Sequence, residues 1–230
     1  MSHFSVAVFT DGAKTVEELL APYDENIEMP VYVKETKEQI IKRIREEIKE
    51  YAEHGYYAEW KSDPEKYETE CTNEQHIEYL KNKFPKMLSW TDEECYQSEI
   101  RWCEENELDE SGSILSTYNP ESKWDWYSIG GRWNSKLPAS KGLHGEGGLL
   151  TPNQYERGMY DVAKVKDIKF PEDFTTFAVV LPDGTWYEKG QMGWWATVSN
   201  EDDDWDKHYK ERFIDTAKPE WTLTIVDCHI

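Results

Sequence analysis

Apolar residues alternate near the two ends of the chain and recur at helical spacing in between. From His3 to Phe9, Phe4, Val6 and Val8 fall on one side and Ser5, Ala7 and Phe9 on the other. Apolar residues on both sides predict an interior strand, which Asp11-Gly12 ends. Thr15 to Leu20 reads as a short helix. Ile40, Ile41, Ile44, Ile48 and Tyr51 share a face opposite Glu46, Lys49, Glu50 and Glu53, so a helix is expected over 37–53. Thr36 with Gln39 supplies its capping box, and Gly55 stops it. Thr72 with Gln75 and Thr91 with Glu94 repeat the box, which predicts three amphipathic helices across 37–105.

The period changes after Ser111-Gly112-Ser113. Lys123 to Ile129 alternates imperfectly, 138–154 reads as a glycine-rich loop, and Tyr160 to Ile168 as a weak strand. Phe177, Val179 and Leu181 lead into Pro182-Asp183-Gly184, and Thr185-Trp186-Tyr187 returns, so Thr175 to Lys189 predicts a hairpin. Asp202 to Thr216 predicts a helix with Trp205, Tyr209 and Phe213 as its stripe. Trp221 to Cys228 predicts a last strand, with Leu223 and Ile225 opposite Thr224 and Val226. The expected fold is α+β: a mainly antiparallel sheet in a single domain over 1–230, with residues 35–110 as an acidic helical insertion or lobe.

Charge sharpens this division. The 230 residues carry 47 acidic and 26 basic side chains, a formal net charge of -21. Residues 35–110 hold 22 acids and 11 bases, whereas 111–200 hold 10 and 9. The excess argues against direct nucleic-acid binding, which needs a basic surface, and against an anionic membrane. No stretch reaches the roughly 18 apolar residues of a membrane span. The first residues lack the basic start of a secretion signal, so a cytoplasmic location is expected. Eleven Trp, 14 Tyr and 7 Phe supply large apolar areas, which predicts an ordered chain.

The most unusual segment runs from Tyr118 to Trp133, YNPESKWDWYSIGGRW. Gly130-Gly131 permits a tight turn or a close backbone approach. Arg132 beside Trp133 suits a phosphate, a carboxylate or a stacked base. Lys123 and Trp126 complete a candidate anion site, with Asp125 orienting Arg132 or meeting a sugar hydroxyl. The alternative is a plain core of tryptophans with Arg132 and Asp125 paired. Neither a dinucleotide-binding nor a phosphate-loop motif is present. The pattern YNPxSKWDWYxxGGRW, together with MSHFSVAVF and LLAPYDEN, resembles an uncharacterised family of small proteins common in bacteriophage genomes. The resemblance covers 1–9, 19–26 and 118–133. It implies a phage-related origin and carries no activity with it.

Gly190 to Trp195 forms a second candidate wall, with Trp194 buried and Trp195 half exposed as the bland alternative. Cys71 with His76, Cys95 with Cys103, and Cys228-His229 lack the spacing of a structural zinc site, so neither metal nor cofactor is expected. His144, in a glycine-rich loop, is the best-placed catalytic histidine, with Asp125 and Glu146 as possible partners. Asp202-Asp203-Asp204 reads as a helix start. The leading expectation is a phage-associated acidic binding protein engaging a host or defence component, with nucleic-acid mimicry as the candidate mode. Glu46, Glu50, Glu53, Glu94 and Glu99 would then meet a basic protein surface. The alternative is a binder or enzyme for an anionic, nucleotide-like small molecule at 118–133. A structural or assembly role would require a large exposed apolar face.

Overall fold

The computed structural model describes residues 2–145, 157–193, 195 and 197–230. The chain divides into two compact units, Met1–Glu28 with Tyr118–Ile230, and Met29–Thr117. The fold is α+β.

The first unit is built on a six-stranded sheet: β1 (His3–Thr10), β2 (Trp126–Ile129), β3 (Val162–Lys164), β4 (Ala178–Val180), β5 (Trp186–Glu188) and β6 (Thr222–His229). Its order is β2–β6–β1–β4–β5, and β3 also pairs with β6. All pairings are antiparallel apart from β1 with β4. β1 and β6 match along their whole length, from His3 opposite His229 to Thr10 opposite Thr222. On the other edge of β6, β2 covers Val226–His229 and β3 covers Thr222–Thr224. The gap between them is closed by Gly130 N–H donating to the Ile225 carbonyl and Ile225 N–H to the Asp161 carbonyl, at 2.8 and 2.9 Å.

Alternation along β1 and β6 supplies both faces of the core. Phe4, Val6, Val8, Val226 and Cys228 pack with Leu19, Leu20 and Trp124. Ala7, Phe9, Leu223 and Ile225 pack with Trp205, Tyr209 and Phe213. The helix carrying the last three begins at Trp205, later than expected, and widens into a π turn over Lys210–Ile214. The expected Tyr160–Ile168 strand is two pieces: Met159–Tyr160 pairs with Leu137–Pro138, and β3 pairs with β6. Within the expected 138–154 loop, residues 146–154 lie outside the described residues, as do Glu146 and Trp194. Trp195 is more exposed than expected, at 80%.

In the second unit, Ile40, Ile44 and Ile48 of the Lys37–Glu53 helix pack with Tyr57, Leu80, Phe84, Cys95 and Tyr96. The capping boxes at Thr36 and Thr91 form. At the third, Asn73 takes the capping position in place of Thr72, accepting from the His76 N–H. In place of three long helices the segment folds as a run of shorter ones, because Gly55, Pro64 and Pro85 restart the chain. Trp102, just beyond the Asp92–Ile100 helix, is 78% exposed.

Candidate functional site

The face of the central sheet that carries Phe9, Ala7, Leu223 and Ile225 changes character along its length. Continuing at the same two-residue period, β1 presents Ser5 and His3 while β6 presents Asp227 and His229. β2 adds Ser128 opposite Asp227 and Trp126 opposite His229. One half of the face is therefore hydrocarbon. The other half is imidazole, carboxylate, hydroxyl and indole.

The polar half is organised as two histidine–carboxylate pairs. His3 Nδ1 lies 2.9 Å from Asp227 Oδ1, and His229 Nδ1 lies 2.6 Å from Asp125 Oδ1. In a neutral imidazole whose Nδ1 faces a carboxylate, Nδ1 carries the hydrogen and the lone pair is left on Nε2. The two rings meet edge to face at 4.9 Å, and the Trp126 indole stacks on His229 at 5.1 Å while meeting the His3 ring edge-on at 5.3 Å. His229 and Asp227 are buried, whereas Trp126 is 45% exposed. His229 Nε2 is buried and has no hydrogen-bond partner among the described residues. An unpartnered polar atom in the interior costs about 1–3 kcal/mol. Such an atom calls for an explanation, and a role in holding a ligand or a proton is one.

Asp227 also fixes the glycine turn. Its second oxygen accepts the Arg132 main-chain N–H at 2.9 Å. Gly131 has φ +50°, and a Cβ there would overlap the Asp227 carboxylate and approach Ser128 Oγ to 2.7 Å. Gly130, at φ +79°, is pressed against Asp161 less tightly, where a Cβ would lie 2.8 Å from Cγ. Asp161 is fully buried and accepts main-chain N–H groups from Ser135 and, at 2.8 Å, Gly145. The two glycines are thus required by two buried carboxylates, one on each side of the turn.

The residues expected to form the anion site are only partly brought together. Arg132 is exposed, and its guanidinium has no hydrogen bond or ion pair among the described residues. It does not stack on Trp133, which instead packs against the Trp205 core. Asp125 does not orient Arg132. It is taken by His229 because its main-chain N–H also bonds the His229 carbonyl, at 2.9 Å, drawing the two residues together. Lys123 belongs to a separate hollow of about 220 Å³ with Phe4, Phe177 and Gln191, where Glu188 neutralises it at 2.8 Å. His144 is not beside Asp125. It leans on Tyr160 at 5.3 Å, with Nδ1 3.8 Å from the buried Asp161.

Sequence reasoning missed His3, Asp227 and His229 as a group. The signal was available: they are the polar members of a two-residue alternation that is otherwise apolar, and the two strands that carry them pair end to end. Asp161 left no comparable signal.

The helix carboxylates are also differently disposed from an open acidic array. Glu94 closes the Thr91 capping box, accepting its N–H at 2.7 Å. Glu99 bonds Arg43 at 3.2 Å, Glu46 lies 3.8 Å from Lys42, and Glu53 lies 4.0 Å from His54. Glu50 stays exposed with no ion pair among the described residues.

Among the described residues no group of three or more His, Cys, Asp or Glu side chains is placed to hold a metal ion. His76 instead meets the Tyr67 hydroxyl at 3.2 Å, and all four cysteines are free thiols. No described helix is long and apolar enough to cross a membrane. No family model matches the chain, and no curated protein or solved structure matches it either.

Proposed function

We propose that the first unit binds an anionic, ring-bearing small molecule of nucleotide-like chemistry at the polar half of its central sheet, where paired histidine–aspartate dyads exchange a proton with it. The observation that carries this reading is the His3–His229 pair beneath Trp126, with His229 Nε2 buried and unpartnered. Trp126 keeps nearly half its surface open on the outside of the cluster, a platform on which a planar ring stacks. Arg132, held by its own main chain on Asp227, supplies an uncommitted guanidinium for a phosphate or carboxylate. The carboxylates at Nδ1 fix the tautomers, so the ligand is presented with proton-accepting Nε2 atoms. Trp126 lies stacked on His229, so a ligand resting on this indole stands next to the ring whose Nε2 lacks a partner.

The 118–133 segment, whose pattern resembles a phage-associated family, contributes Asp125, Trp126 and Arg132 to this arrangement. Mimicry of nucleic acid by the helices draws less support. Lys42, Arg45 and Lys49 alternate with Glu46 and Glu50 along one helix, a mixed field unlike a row of phosphates.

The test is a thermal-shift and calorimetric titration of the full chain with nucleoside monophosphates and with ribose 5-phosphate. Stabilisation by the nucleotides is expected, weaker with the base-free sugar, and lost in both Trp126→Ala and Arg132→Ala. These side chains are exposed, so both variants fold. No stabilisation by any of the panel, or the same stabilisation in both variants, would overturn the proposal.

A further inference from the structure

The second unit has a chemistry of its own. Ile48, Tyr51, Phe84, Met87 and Trp90 line a groove of about 370 Å³, with Glu47, Glu99 and Trp102 at its margin. A second hollow, bounded by Glu46, Glu50 and His54, continues from it through the shared Glu47 and Tyr51. Trp102 is 78% exposed, its ring covered by the Arg101 guanidinium at 4.7 Å. A large indole held out beside an apolar trough is the arrangement of a binding anchor.

The charge at this margin is unbalanced in a specific way. Arg43 serves three carboxylates at once: Glu35 through two bonds of 2.9 and 3.0 Å, Glu47 at 3.0 Å and Glu99 at 3.2 Å. Arg101 also lines the groove, and the one positive charge of Arg43 answers three negative ones, two of which line it as well. Glu50 adds another without a cation. Across 29–117 the sequence holds 22 acidic residues against 12 basic ones.

We infer that this groove docks a basic amphipathic helix of another protein, its apolar face in the trough and its Lys or Arg residues against Glu47, Glu50 and Glu99. A helix is the fitting form because the trough is lined mostly by side chains from helices, and none of its lining residues belongs to a strand. A second copy of the chain is disfavoured, since it would bring two acid-rich margins together. Nucleic acid is disfavoured for the same reason. The inference is independent of the small-molecule site.

The experiment uses the full chain and three synthetic peptides: an amphipathic leucine–lysine helix, a scrambled peptide of identical composition, and the leucine–glutamate counterpart. The leucine–lysine helix is expected to bind, to weaken as salt is raised, and to protect amides over 84–102 from hydrogen exchange. Trp102→Ser and Glu50→Lys should each weaken it on the order of tenfold, about 1.4 kcal/mol. Both side chains are exposed, so a folding failure does not mask the result. Equal binding of the scrambled or acidic peptide, indifference to both substitutions, or protection confined to other segments would each overturn the inference. So would a stable dimer of the free protein that Trp102→Ser dissociates.

Discussion

Replacing Gly131 with alanine tests whether the glycine turn is set by the carboxylate beneath it. Two costs are expected. The first is backbone strain: φ is +50°, and the left-handed region costs an L-residue about 1–2 kcal/mol. The second is collision, since the new methyl group would overlap Asp227, which is buried and holds both the His3 ring and the Arg132 N–H. Moving it weakens charge-assisted bonds of about 1.5–3 kcal/mol each. The combined loss is about 4 kcal/mol, which at ~3 °C per kcal/mol for a chain of this size lowers Tm by about 12 °C. Gly12→Ala is the matched control, because Gly12 also has positive φ, +92°, but nothing lies within 4 Å of its absent Cβ. Alanine restricts the unfolded chain equally at both positions, by roughly 0.4–1 kcal/mol, so that contribution cancels in the comparison. Differential scanning calorimetry of the two variants isolates the collision. If Gly131→Ala melts within about 2 °C of Gly12→Ala, the packing of Asp227 against the turn is refuted.

Three further outcomes follow from other parts of the molecule. Thr176→Val removes the hydroxyl that bonds the buried Tyr209 phenol at 2.6 Å and the Ala178 carbonyl at 2.7 Å, and should cost about 1–3 kcal/mol in denaturant unfolding. A thiol-reactive dye should label Cys71 first and Cys103 slowly in the native protein. It should spare Cys95 and Cys228, whose burial seals them and pushes their thiols up; native labelling of Cys228 would contradict its place in the core. Asp183 is held below the ordinary carboxylate range by the Thr185 main-chain N–H and hydroxyl. Its folded value is therefore the lower one, so its stabilisation is present above pH ~4 and is lost as pH falls through the folded value. Thermal melts should show a shallower loss on acidification for Asp183→Asn than for the parent protein.

Much of the framework was legible because local rules agreed with tertiary ones. Alternation marked β1 and β6 to within a residue, and an apolar stripe with Thr36 and Gln39 at its head gave the exact bounds of the Lys37–Glu53 helix. The hairpin of β4 and β5 followed from Pro182-Asp183-Gly184. What failed did so for physical reasons. Asn73 and Thr72 both suit a capping position, and the backbone at Asn73 takes it. Asp125 offered charge to Arg132 by sequence proximity, but the β2–β6 pairing gives it to a histidine 104 positions away. The polar half-face exists only after strands from opposite ends of the chain have been laid side by side. No window along the sequence contains it.

That adjacency has a bearing on how the protein is made. Ser2 and Ile230 exchange main-chain hydrogen bonds in both directions, each of 3.0 Å, so β1 waits for its principal neighbour until the more than 200 residues between them have been synthesised. The 29–117 unit is continuous in sequence and is free to close early, while the other must hold its opening strand unpaired during synthesis.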